Sequence, residues 1–149
     1  MQPIPNPCYL AGPTASGKTA LAIALARRWD AEIVCADPFQ LFAPLPLLTA
    51  RPRPDELESA PHHLFGILPG VRTIDAAAFR DLATARIAEL LAAGRRLLVV
   101  GGSGLYLKAL THGLDPLPPP DPGLRAELES RPLEQLVAEL CARDPAAAA

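Results

Sequence analysis

The chain has 149 residues, of which half are apolar and a fifth are charged, and its formal net charge is −2. This composition excludes a disordered chain, a collagen-like chain and a domain that binds nucleic acid through an overall basic charge. The length suggests about one domain with a core of its own.

Apolar runs and helical spacing predict alternating strands and helices in residues 1–114. The predicted strands cover 8–11, 32–36 and 97–100, and the predicted helices cover 18–29, 75–93 and 105–110. Leu21, Leu25 and Trp29 are expected to form the buried stripe of the first helix. Strands and helices that alternate in this way form βαβ units, so the strands are predicted to be buried and parallel.

Two proline-rich stretches interrupt this pattern. Residues 38–61 are predicted to form a long loop with a short extended piece at 47–50, and long loops inside a domain are usually functional. Residues 115–122 are predicted to form a stiff linker. Two short amphipathic helices follow, over 124–130 and 133–142, and they need a partner to cover their apolar sides. The chain is therefore divided into a core, 1–114, and an incomplete helical region with its linker, 115–149.

The segment between the first strand and the first helix matches the phosphate-binding pattern GxxxxGK[ST] and is called the P-loop below. The backbone N–H groups of such a loop surround phosphate oxygens, and the N-terminus of the following helix adds partial positive charge. Lys18 supplies a point charge, and the Thr19 hydroxyl is expected to bind Mg²⁺. The predicted diphosphate- or nucleotide-binding residues are Gly12, Pro13, Thr14, Ala15, Ser16, Gly17, Lys18 and Thr19.

The candidate acidic residue of the site follows the second strand. An ordinary P-loop NTPase carries a metal-binding aspartate after another strand, but the strand over 97–100 runs into Gly101 and Gly102. Asp37 ends the second predicted strand, although a turn or capping role would also explain it. Ligands of open parallel sheets bind at the carboxyl ends of the strands, so Asp37, the P-loop and residues 101–104 are expected on one rim.

The motifs of the chain, taken in order, resemble those of the bacterial tRNA dimethylallyltransferase family, also called tRNA isopentenyltransferases. They are GPTASGKT at 12–19, DPFQ at 37–40, LTARP at 48–52, PHHL at 61–64 and GGSGLY at 101–106. The resemblance extends from residue 8 to residue 149. It implies a P-loop NTPase-like α/β fold, a parallel sheet flanked by helices, followed by the start of a helical tRNA-binding region.

The resemblance implies transfer of a dimethylallyl group from dimethylallyl diphosphate to N6 of the adenosine next to the anticodon in tRNA. Its catalytic residues would be Asp37, which accepts the proton of the amine, with Lys18 and Ser103 beside the departing diphosphate. The target base would leave its stack to reach them. The implied tRNA-binding residues are Asp37, Pro38, Phe39, Gln40, Ser103 and Arg125.

The implied cofactor is Mg²⁺ on Thr19, and the implied partners are tRNA and dimethylallyl diphosphate. The chain shows no signal-like leader and no apolar run of membrane length, so we expect a cytoplasmic protein without membrane contact. We also expect a monomer. Cys8, Cys35 and Cys141 lie far apart and fit idle thiols of a reducing compartment.

Three features depart from the family pattern. Pro38 stands where the family usually has serine, and Phe42 stands where it usually has tyrosine. Family members also continue well beyond the point where this chain stops, so it is expected to be a truncated, N-terminal part. Two other interpretations stay open, a P-loop small-molecule kinase and a non-catalytic remnant that binds diphosphate.

Overall fold

Four parallel strands form the sheet of the first unit, Met1–Leu114, in the computed structural model, which describes residues 6–70, 74–115 and 120–148. The strands are β1 (Cys8–Ala11), β2 (Ala31–Cys35), β3 (His62–His63) and β4 (Arg96–Gly101). Their spatial order is β1-β4-β2-β3, so β4 lies between the two strands that come first in the chain. Leu98 of β4 is in register with Cys8 on one side and with Ile33 on the other. The predicted parallel sheet is confirmed.

Helices cover both faces of this sheet. The helices of the first unit are α1 (Lys18–Trp29), α2 (Pro54–Glu58), α3 (Ala76–Ala92) and α4 (Gly104–Thr111), of which α1, α3 and α4 contribute to the core against the sheet. Because side chains alternate along a strand, Ile33 faces the cluster that α1 forms, while Val34 belongs to the cluster of α3 and α4. In the described ranges every helix is too short or too polar to span a membrane.

The buried stripe of α1 differs from the predicted one. Ala22 and Ala26 are each 1% exposed, whereas Leu21 is 49% exposed, and Leu25 and Trp29 are only partly buried. Alanine carries no long side chain, so the helix axis can approach the strands closely along this row. The closest contact with the sheet therefore runs along the two alanines, and Leu25 and Trp29 pack at the margin of the same cluster.

The burial predicted for β1 is wrong for part of the strand. β1 lies at the end of the described sheet and pairs only with β4 there, so one side of its backbone has no neighbouring strand within the described residues. Tyr9 is 36% exposed, and partly buried and exposed residues alternate along the strand. An apolar run of four residues does not tell an edge strand from a central one.

The loop predicted over 38–61 contains an element that the sequence analysis missed, α2, and ends just before another, β3. α2 begins at Pro54, since the fixed φ of proline suits the first turn of a helix. The segment 47–50, predicted to be extended, forms turns instead. The N–H groups of Thr49 and Ala50 donate to the carbonyl oxygens of Leu45 and Leu47. Local hydrogen bonds therefore replace the expected extended piece.

The predicted long helix is confirmed as α3. Asp75 caps it by accepting the N–H of Ala78 at 2.7 Å, and Gly94 follows its end with a φ of 73°. Phe79, Ile87 and Leu90 are buried, as the spacing predicts. Tyr106 of α4 stacks on Phe79 with ring centroids 4.4 Å apart, which places it in the core as well.

The second unit, Asp115–Ala149, contains α5 (Pro122–Glu129) and α6 (Leu133–Arg143). Residues 116–119 of the predicted linker lie outside the described residues, and Pro122 begins a helix where the linker was expected to extend. Asp121 caps α5 by accepting the N–H of Gly123 at 2.8 Å. Apolar side chains of both helices stay 37% to 70% exposed: Leu124, Leu128, Leu133, Val137 and Leu140.

Candidate active site

The P-loop, Asp37 and the turn after β4 lie side by side at the carboxyl ends of the strands. The N–H of Ala36 donates to the carbonyl oxygen of Val100 at 2.8 Å, so Asp37 follows a residue that is bonded to the end of β4. A Cβ atom added to Gly102 would lie 3.0 Å from the carbonyl oxygen of Gly12. The structure therefore brings these segments together on the rim that the sheet order predicts.

Gly101 makes this arrangement possible. A Cβ atom at this position would lie 2.2 Å from the carbonyl oxygen of Ala36, a distance at which backbone atoms must move. Strands β2 and β4 can therefore end side by side only because residue 101 has no side chain.

Gly101→Ala is expected to lower the free energy of unfolding by about 1–3 kcal/mol, the usual cost of forcing a methyl group into packed surroundings. Urea unfolding followed by circular dichroism measures it. Gly104→Ala is the matched control, because a Cβ atom there meets no atom within 4 Å and is expected to leave stability nearly unchanged. Equal stability of the two variants would show that the close approach of residue 101 to the Ala36 backbone does not require a glycine.

The backbone of the P-loop is shaped to hold an anion. Ala15 and Gly17 have φ values of 62° and 81°, and residues in this region of φ turn successive N–H groups toward one point. Gly17 precedes α1 and offers no side-chain oxygen to its first turn, which also contains no acidic residue. The N–H groups that begin α1 and its partial positive charge are therefore available to a phosphate.

Lys18 and Thr19 stand at the start of α1 and are both partly buried. The ammonium group of Lys18 donates to the carbonyl oxygen of Pro13, which holds the side chain within the loop. Both residues line an open cleft of about 660 Å³, a volume within the range of about 300–1,000 Å³ usual for ligand sites. The charge of Lys18 thus lies where a phosphate would bind.

The cleft is lined by the P-loop and by residues that follow β2 in the chain. The residues that follow β2 are Asp37, Phe39, Gln40, Leu48, Thr49, Ala50 and Glu56. Phe39 is 68% exposed and Leu48 is 81% exposed. These two exposed side chains would suit an apolar part of a ligand whose anionic part met the P-loop.

The carboxylate of Asp37 is held at one oxygen. Its Oδ1 atom accepts the N–H of Phe39 at 2.9 Å, which closes a turn over Pro38. In a turn of this kind the aspartate side chain accepts the backbone N–H of the residue two positions later. Proline can occupy the position between them, because the turn does not use its backbone nitrogen as a donor. The departure at Pro38 therefore leaves the Asp37 carboxylate held by this hydrogen bond, at a position that lines the cleft.

Gln40 presents an acceptor to the cleft. Its Nε2 atom donates to the carbonyl oxygens of Thr49 and Ala50, both at 3.1 Å. An amide nitrogen has two hydrogens, so both are used, and the Oε1 atom remains for a ligand. The turns at 47–50 thus determine which end of the Gln40 side chain a ligand meets.

Ser103 and Arg125 have different surroundings. Ser103 precedes α4, is partly buried and makes no side-chain cap, so its hydroxyl is available beside the rim. Arg125 lies on α5 in the second unit, where its guanidinium group pairs with Glu129 at 2.8 Å and is 71% exposed. The roles implied for both residues stay predictions.

The sequence analysis gave no site role to Pro52 and His62, which stand in the motifs at 48–52 and 61–64, or to Phe65. All three line a small inner cavity together with Lys18 and Asp37. The Nδ1 atom of His62 lies 2.7 Å from the carbonyl oxygen of Ala60. His63 points to the other face of β3 and pairs with Glu32 at 2.6 Å. Successive side chains of a strand point to opposite faces, so the alternation places His62 and His63 on different sides of the sheet. The sequence could have predicted this only if β3 had been recognised as a strand.

Cys35 is fully buried at the end of β2, and burial raises the pKa of its thiol to about 12. Cys141 is exposed on α6. Because the thiolate is the reactive form, we expect Cys141 to react with a thiol reagent in the native protein at about pH 8 and Cys35 to react only after unfolding. Mass spectrometry of alkylated peptides with and without urea measures this, and rapid native labelling of Cys35 would contradict its burial.

The sheet order, the P-loop before α1 and the acid at the end of β2 define a P-loop NTPase-like α/β protein. The sequence model of a family described as IPP transferase matches residues 40–149. The chain therefore belongs to the IPP transferase family.

Curated relatives in this family are tRNA dimethylallyltransferases. The chain is 48% identical to that of Deinococcus radiodurans over 144 residues, which are 94% of this chain and 47% of the relative. It is 51% identical to that of Anaeromyxobacter sp. (strain K), again over 94% of this chain and 47% of the relative. The chain thus spans about half the length of the curated relatives it matches.

Solved structures show the same fold. The full-length tRNA isopentenylpyrophosphate transferase from Bacillus halodurans is 34% identical, with a TM-score of 0.70 over 96% of this chain and 49% of that one. A eukaryotic dimethylallyltransferase described as acting on tRNA is 25% identical, with a TM-score of 0.79 over 95% of this chain and 36% of that one. Neither structure is described as a kinase.

Proposed function

We propose that this chain takes part in the transfer of a dimethylallyl group from dimethylallyl diphosphate to N6 of the adenosine next to the anticodon in tRNA. The observation that carries the proposal is one cleft lined both by the P-loop and by Asp37 and Gln40. Such a cleft would join a diphosphate site to two hydrogen-bond acceptors. The tRNA dimethylallyltransferases among the relatives support the same reaction.

The P-loop would stabilise the diphosphate as it leaves. Negative charge grows on the leaving group when the bond from carbon to oxygen breaks, and preorganised donors stabilise such charge most effectively. The first-turn N–H groups of α1 supply fixed donors, and Lys18 supplies a full charge. No phosphoryl group is transferred in this reaction, so an acid after β4 is not required.

Asp37 and Gln40 would together recognise the amine. The N6 amine of adenine has two hydrogens, and the cleft offers the carboxylate of Asp37 and the Oε1 atom of Gln40 as acceptors. Asp37 would take the proton that the amine loses when it bonds to the dimethylallyl carbon. A guanine would present a carbonyl oxygen to the same acceptors, which is unfavourable.

The exposed apolar residues of the cleft would contact the uncharged groups of both substrates. Phe39 can stack on a base that has left the anticodon stack, and Leu48 offers aliphatic surface to the dimethylallyl group. Both side chains are more than two thirds exposed and lose water when a substrate covers them.

Mg²⁺ is the proposed cofactor, and the residues present fit it. The Thr19 hydroxyl and the Asp37 carboxylate line the same inner cavity, and oxygen atoms are the ligands that Mg²⁺ prefers. In the described residues no group of three or more His, Cys, Asp or Glu could hold a metal alone, which suits an ion shared with phosphate oxygens and water. When bound, Mg²⁺ would neutralise diphosphate charge. A tRNA substrate would place the activity in the cytoplasm.

Incubation with labelled dimethylallyl diphosphate, Mg²⁺ and unmodified tRNA tests the proposal. Label in the tRNA, lost when Mg²⁺ is chelated, supports it. Transfer of label from the γ-phosphate of ATP to a small acceptor would support a kinase instead. Binding of diphosphate without turnover would support the third interpretation, a non-catalytic chain that binds diphosphate. A full-length relative from Deinococcus radiodurans serves as the positive control.

A further inference from the structure

The thiol of Cys35 bonds both backbone groups of Asp37. The Sγ atom accepts the N–H of Asp37 at 3.4 Å, and the thiol donates to the carbonyl oxygen of Asp37 at 3.6 Å. Cys35 itself is fully buried at the end of β2 and has no exposed surface. The packing of the core therefore holds the sulphur in place, and the two hydrogen bonds hold the Asp37 backbone against it.

The thiol is suited to this double contact because it stays protonated. A cysteine thiol is ordinarily protonated at neutral pH, so it keeps the hydrogen that it donates. A neutral thiol is both a weak donor and a weak acceptor, as the two contacts require. On the opposite side, the N–H of Ala36 is bonded to Val100 of β4. The segment that leads into Asp37 is thus held by sulphur on one side and by a strand on the other.

We propose that Cys35 is a positioning residue for Asp37, acting through its two sulphur hydrogen bonds to the Asp37 backbone. The inference rests on the proposed function, since it assigns Cys35 a part in aiming the proton acceptor. The side chain of Asp37 is already restrained at Oδ1 by Phe39, so a shift of its backbone moves the carboxylate as a unit. Misplacement of a catalytic group by about 1 Å can cost up to roughly 100-fold in rate.

Three substitutions separate hydrogen bonding from packing. Cys35→Ser keeps a donor and an acceptor, Cys35→Ala removes both, and Cys35→Val removes both while filling the space of the sulphur. Cys8→Ala is the matched control, since Cys8 is a partly buried thiol on the edge strand β1. Thermal unfolding of every variant establishes that it is folded before it is compared.

We expect Cys35→Ala and Cys35→Val to lower kcat by about tenfold with little change in KM for dimethylallyl diphosphate, because the P-loop is untouched. Cys35→Ser is expected to restore most of the rate. Equal kcat in the wild type and in folded Cys35→Val would overturn the inference. A loss shared by Cys8→Ala would overturn it too, because it would point to general packing.

Hydrogen exchange at the Asp37 amide tests the same contacts without turnover. Protection of this N–H is expected to fall in Cys35→Ala and Cys35→Val and to persist in Cys35→Ser, whereas unchanged protection in all three would overturn the inference. If the wild-type chain transfers no label to tRNA, the proposed function fails. The amide exchange then decides alone whether Cys35 holds Asp37.

Discussion

Asp37→Asn is expected to lower kcat of dimethylallyl transfer by about 10²- to 10⁴-fold, the usual contribution of a general base. Asparagine has nearly the same shape, and its Oδ1 atom can still accept the N–H of Phe39, so the turn over Pro38 should persist. The amide cannot take a proton from the amine. Single-turnover transfer of labelled dimethylallyl groups to tRNA measures the effect.

The affinity for diphosphate should be nearly unchanged in Asp37→Asn, because the P-loop supplies the hydrogen-bond donors. Only the part of the affinity that depends on Mg²⁺ shared with Asp37 should fall. Asp81→Asn is the matched control, since Asp81 is an exposed carboxylate on α3 that pairs with Arg80. It should transfer label like the wild type. A rate for Asp37→Asn within a few-fold of the wild type would mean that another group accepts the proton.

Lys18→Met is expected to weaken the binding of inorganic diphosphate by roughly 10- to 100-fold. A hydrogen bond to a charged group contributes about 1.5–3 kcal/mol, and about 1.4 kcal/mol corresponds to a factor of ten in affinity. Methionine keeps the apolar stem of the side chain but cannot donate or carry charge. Calorimetric titration with diphosphate in the presence of Mg²⁺ measures the change.

The chain contains one other lysine, Lys108, on the exposed side of α4, and Lys108→Met is therefore the natural control. It makes the same change of net charge at a position that does not line the cleft. Equal losses of affinity in the two variants would mean that overall charge, and not the P-loop ammonium group, attracts the diphosphate.

The parts of the fold that depend on neighbours in the sequence were predicted well. The P-loop pattern and the helix that follows it each depend on residues within a few positions. The parallel sheet followed from the alternation of strands and helices. The rim followed in turn, because the carboxyl ends of parallel strands share one edge of a sheet.

The parts that depend on distant segments were predicted less well. The exposure of Tyr9 depends on whether a strand lies beyond β1, and the stripe of α1 depends on how closely the helix approaches β2 and β4. His62 reaches the inner cavity because a two-residue strand, too short to be seen as a pattern, pairs with β2. None of these properties is local in the sequence.

The sequence by itself determined the chemical groups of the candidate site: a P-loop pattern, the charge of its lysine, and an acid at the end of a different strand from the usual one. These follow from residue types at fixed spacing, which act through local backbone geometry. Only the tertiary structure decided how Asp37 and Gln40 face the cleft. Their orientation depends on the sulphur of Cys35 and on the carbonyl oxygens of Thr49 and Ala50, and these contacts exist only once strand β2 and the loop after it have folded.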